Sequence, residues 1–77
     1  MFQIIRLELG GNGDVIYREP LHPEYELLKD AMALAEFDAM RCEDYGYDGD
    51  LNCWWGRDGS RTYRFVIIRN GPPAGRN

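Results

Sequence analysis

The sequence predicts an α+β fold of ββαββ order: a four-stranded sheet from two hairpins, with one helix packed on one face. Three observations predict it. Two strand-like runs, FQIIRLEL and DVIYRE, flank the turn Gly10-Gly11-Asn12-Gly13. A proline-started stretch then carries apolar residues at spacings of three and four. A second pair of strand-like runs, DLNCWWG and RTYRFVIIR, closes the chain. At 77 residues and 44% hydrophobic content the chain is sized for one domain and is too apolar to stay unfolded.

The first strand is read over residues 2–9 and the second over 14–19. The four turn residues between them tolerate positive φ and can only reverse the chain. Pro20 and Pro23 end the second strand and open a helix read over residues 23–43. Proline suits a first helical turn because its missing N–H would be unpaired there. Glu24 and Glu26 then sit at the positive end of the helix dipole, and Gly46 and Gly49 lie in the segment that ends the helix. The third strand is read over 50–56 and the fourth over 61–69. The domain is expected to span residues 1–70, with residues 71–77 a disordered tail. This hairpin–helix–hairpin layout resembles several short bacterial families of unknown function. The resemblance is architectural and implies no residue roles.

The second hairpin admits two registers, which produce different faces. A two-residue turn at Asp58-Gly59 sets Trp54 beside Tyr63 and Phe65. A three-residue loop with Gly59 left-handed pairs Gly56 with Ser60. The second places Leu51, Cys53, Trp55, Tyr63, Phe65 and Ile67 on one apolar face, and is favoured for that reason. Trp54, Arg64, Val66 and Ile68 then share the opposite, uncovered face, with Phe2 and Ile4 expected beside them. On the helix, Leu28, Ala31, Met32, Ala35, Ala39 and Cys42 form the core stripe at about 100° per residue. Ala33, Phe37 and Met40 fall on the back.

Charge is segregated. From residue 24 to 50 there are nine acids and two bases, a net of −7; the remainder has four acids and seven bases, a net of +3, giving −4 in total. Helix acids and strand arginines are expected to be solvated or paired within the fold, with complementary docking surfaces as the sharper alternative.

Few signals for chemistry are present. Cys42 and Cys53 form no CxxC and, with the lone His22, no zinc signature; two reduced thiols are expected, and a disulfide is the alternative. Asp44, Asp48 and Gly49 match part of a calcium loop, but Trp55 stands where a bidentate glutamate is required. The glycine-rich turn leads into a strand, so it does not cradle a phosphate. His22 has no nucleophile placed near it by a motif. No catalytic residue, metal or cofactor is expected, and no segment has the roughly 20 apolar residues of a membrane helix. The N-terminal residues do not form a signal peptide, so a cytoplasmic location is expected.

The functional expectation is a small protein-interaction module with a regulatory or accessory role. It self-associates as a homodimer, or binds another protein, through Phe37, Met40, Trp54, Arg64, Val66 and Ile68. Nucleic acid is the rival partner, because Trp54, Trp55 and Tyr63 interleave with Arg57, Arg61 and Arg64. The acidic balance opposes it, since such binding rests on neutralising phosphates.

Overall fold

A computed structural model describes residues 1–70; the tail expected over 71–77 lies outside the described residues. The fold is α+β, with one helix and one antiparallel sheet. The elements are β1 (Phe2–Leu9), β2 (Val15–Pro20), α1 (Leu28–Met40), β3 (Asp44–Asp48), β4 (Cys53–Asp58) and β5 (Arg61–Arg69). The sheet has five strands in the order β2-β1-β5-β4-β3, not the four expected.

The fifth strand comes from the segment read as the end of the helix. Asp44-Tyr45-Gly46-Tyr47-Asp48 pairs along its whole length with β4, from Asp44↔Arg57 to Asp48↔Cys53. Its tyrosines favour a pleated surface. Gly46 is there because Trp55 lies across it: a Cβ at Gly46 would come within 2.9 Å of the indole. Glu43 clamps the entry to this strand. Its backbone N–H donates to Asp58 Oδ1 at 2.8 Å, and its own Oε1 accepts from the Gly59 N–H at 2.8 Å.

The helix is also shorter than expected at its start. Residues 23–27 stay extended because Tyr25 bridges Phe2, donating to the Phe2 carbonyl at 2.7 Å and accepting from the Phe2 N–H at 2.6 Å. Those backbone bonds compete directly with helix formation. Ala31, Ala35 and Ala39 are fully buried against Ile4, Tyr63 and Phe65, as three small residues on one face allow. Leu28 and Met32, assigned to the core stripe, are instead 46% and 41% exposed. The buried stripe is turned toward Leu34, which packs on the core cluster.

The β4–β5 hairpin contradicts the favoured three-residue loop; it keeps the side-chain parity of the two-residue turn, with the pairing offset by two residues. Asp58 pairs with Arg61 across a two-residue turn of Gly59 and Ser60. Gly59 has φ 59° at the first turn position, the pattern of a II′ turn, whose twist suits a hairpin. Trp54 therefore opposes Phe65, Gly56 opposes Tyr63, and Trp55 opposes Arg64. Trp54 belongs to the helix-covered face and Trp55 to the uncovered one, the reverse of the expectation. Phe2 and Ile4 are corrected in the same way. Ile4 opposes Ile67 and is fully buried under the helix, while Ile5 opposes Val66 on the other face.

Gly56 lets the helix end lie close to the sheet. A Cβ there would collide with Cys42 Sγ and approach Phe65 Cε2 to 3.3 Å. We expect Gly56→Ala to destabilise the fold by about 1–3 kcal/mol, the usual cost of overpacking a closed site. Gly11→Ala, where nothing lies within 4 Å, should leave stability unchanged or slightly raised. Urea denaturation of the two variants checks both; equal midpoints would contradict this account of Gly56.

Candidate interaction surfaces

Alternation along the strands sorts the side chains onto two faces. The uncovered face has a traceable grid. One row across all five strands is Arg18, Leu7, Arg64, Trp55 and Gly46. A second is Val15, Leu9, Thr62, Arg57 and Asp44. A third includes Pro20, Ile5 and Val66 on one side, and Asp48 with Cys53 on the other. Gln3 and Ile68 follow at the end.

The middle of this face is apolar. Ile5 and Cys53 are 4% and 5% exposed, while Leu7, Leu9, Trp55, Val66 and Ile68 are half-buried. Its rims are charged and of opposite sign, with Arg18 on the β2 edge and Asp44 and Asp48 on the β3 edge. Asp44 accepts from Arg57 Nη2 at 3.3 Å. Asp48 Oδ1 accepts from the N–H groups of Asp50 and Leu51 at 3.0 and 3.1 Å, which closes the β3–β4 turn.

The six residues singled out from the sequence divide into two groups. Arg64, Val66 and Ile68 lie together on the uncovered sheet face. Phe37 and Met40 are 58% and 49% exposed on the helix, far from being core residues. Trp54 sits on the covered side, half-buried, and lines a groove of about 480 Å³ with Lys29, Met32, Ala33, Glu36 and Tyr47. Tyr47 meets its ring edge-on at 5.3 Å. Sequence reading did not place Trp55, Leu7 and the buried Ile5 on the uncovered face. The signal available was the Gly59-Ser60 dipeptide, a II′ turn pair that fixes the parity of every residue on β4.

A polar cleft of about 370 Å³ opens beside the helix end, lined by Arg6, Leu21, His22, Asp38, Arg41, Cys42, Asp58, Tyr63 and Phe65. His22 Nε2 is 2.7 Å from the largely buried Asp38 Oδ2. Arg6 stacks over Tyr63 at 4.9 Å and donates to Glu19 Oε1. Burial, reinforced by the neighbouring Asp58 carboxylate, pushes the Cys42 thiol up from its ordinary value. Burial likewise raises Cys53, opposed in part by Arg64. Both are free thiols on opposite faces of the sheet, so the disulfide alternative is set aside. None of the described helices is long and apolar enough to cross a membrane.

The chain matches no protein-family model, no curated protein and no solved structure.

The raised thiols have two measurable consequences. A thiol whose folded pKa lies above its unfolded value adds stability in full below the unfolded pKa. That stability is lost as pH rises through the folded value, so the urea midpoint should fall on the alkaline side. Iodoacetamide should modify both cysteines slowly in the native state, because the thiolate is the nucleophile. Asp58→Asn should speed modification of Cys42 several-fold while leaving Cys53 unchanged, as read by peptide mass spectrometry. Equal rates at Cys42 in the two proteins would remove Asp58 as a cause.

Proposed function

We propose that this chain is a small interaction module that self-associates through the uncovered face of its sheet. One observation carries the reading: among the described residues the only helix lies on one side, and the other side presents Leu7, Leu9, Trp55, Val66 and Ile68 around the buried Ile5. A sheet with one apolar face left uncovered stabilises itself by burying that face against another layer, and a second copy is the simplest such layer. The module acts by binding. In the polar cleft burial and the Asp58 carboxylate push the Cys42 thiol up, away from the reactive thiolate, and His22 Nε2 is paired with Asp38. A regulatory or accessory role in a reducing, cytosolic compartment accompanies this reading, supported by the two free thiols.

Size-exclusion chromatography with light scattering tests it. The native chain should run as a dimer that Val66→Lys converts to monomer, while Phe37→Glu, on the opposite side of the molecule, leaves it dimeric. A native chain that stays monomeric at high concentration would overturn the proposal.

A second reading rests on the pairing of Trp55 with Arg64 on an open sheet surface. An aromatic platform beside a guanidinium suits a stacked base. It predicts that single-stranded oligonucleotide is retained at low salt and that Arg64→Glu weakens retention. No retention at low salt would dismiss it, and the net charge of −4 argues in that direction.

A further inference from the structure

We infer that two copies of the chain pack sheet to sheet about a twofold axis running parallel to β5, so that Arg18 of each copy is seated between Asp44 and Asp48 of the other. This inference rests on the proposed self-association and adds its geometry.

The charges at the rims of the uncovered face select between two symmetric arrangements. Aligned sheets can be related by a twofold axis in the interface plane, either perpendicular or parallel to the strands. Rotation about the perpendicular axis lays each strand over its own copy. Arg18 then faces Arg18, and Asp44 faces Asp48. Like charges at both rims disfavour that arrangement. Rotation about the parallel axis keeps each row at its own level and exchanges the two edges. The axis passes through β5 because β5 is the central strand of the five.

In the second arrangement the row Arg18, Leu7, Arg64, Trp55, Gly46 lies over its own reversal. Leu7 covers Trp55 of the other copy, and Arg18 lies over Gly46. Gly46 has no side chain, and Asp44 and Asp48 stand two residues to either side on the same face of β3. The glycine leaves a gap and the two carboxylates flank it. One cation thus meets two anions, twice in the symmetric pair.

Arg64 lies near the axis, where two copies would repel if both stood upright. Its long stem lets each guanidinium lie down along the sheet instead, and the twofold turns the two in opposite directions. Strands spaced about 4.8 Å apart give a face of on the order of 500 Å² per copy. Two such faces bury on the order of 1,000 Å² together, the size of a weak, reversible contact, so charge at the rims weighs more than it would in a large apolar interface.

The experiment combines light scattering with cross-linking. An equal mixture of unlabelled and ¹⁵N-labelled Arg18→Lys protein, which keeps the positive charge, is treated with a zero-length carbodiimide. Position 18 lies four strands from Asp44 and Asp48 in its own sheet, about 19 Å, too far to join within one chain. The expected result is mixed-isotope peptides joining position 18 to Asp44 or Asp48. Arg18→Asp should also weaken dimerisation at least fivefold, with an unchanged circular dichroism spectrum. A native dimer that gives no such peptide and is indifferent to Arg18→Asp overturns this geometry and leaves self-association standing. A native monomer overturns both.

Discussion

The Gly59-Ser60 turn sets β4 against β5, and most of what the molecule presents to its surroundings depends on that one alignment. With Asp58 opposite Arg61, the even-numbered residues of β4 join the odd-numbered residues of β5 beneath the helix. Trp54 and Gly56 are thereby committed to the core side, and Cys53, Trp55 and Arg57 to the other. A slip of one residue would exchange these sets, because side chains alternate with a period of two. Gly56 would then leave the place where Cys42 needs it, and a tryptophan would stand in the path of the helix end. Helix seating and sheet register are one constraint seen from two sides.

Much of the fold was legible from local chemistry. The first hairpin, the existence of the helix and the last strand follow from turn residues and periodicity. What was not legible depended on tertiary partners. Tyr45-Gly46-Tyr47 carries no aliphatic residue, and its glycine resembles a helix stop; only the indole of Trp55 lying over Gly46 explains the strand. Residues 23–27 carry good helix-start chemistry, yet Tyr25 is held extended by two hydrogen bonds to Phe2, a residue more than twenty positions away. The face assignments failed at the tryptophans for a narrower reason. The two-residue turn at Asp58-Gly59 gives the observed faces although its pairing is offset by two residues; the three-residue loop is favoured over it from sequence because it gathers more apolar side chains on a single face. The molecule instead divides its apolar residues between two faces.

That division explains why the candidate surfaces could be only half read. Arg64, Val66 and Ile68 fall together because they alternate along a single strand, and alternation within a strand is local information. Trp54 was grouped with them across a hairpin, where parity rests on the turn. Phe37 and Met40 stand on the helix exterior because the buried alanines define the opposite side, and that too is local. The oppositely charged rims of the uncovered face could not be seen at all, since Arg18 and the β3 aspartates are brought to the two edges of one row only by the strand order.

The strand order has a consequence for how the chain acquires its structure. The central strand, β5, and its neighbour β1 come from residues 61–69 and 2–9, while both edges come from segments nearer the middle of the domain. The longest loop closure is therefore needed for the central pairing, and its entropy must be lost before that pairing can reward it. Until β5 arrives, β1 has a partner on one side only, and Ile4 has neither Ile67 beside it nor a completed core above it. During synthesis the first hairpin must wait, with one side of β1 open, for nearly the whole domain to emerge. The best-buried strand pair of the sheet is thus one that synthesis completes only at the end of the domain.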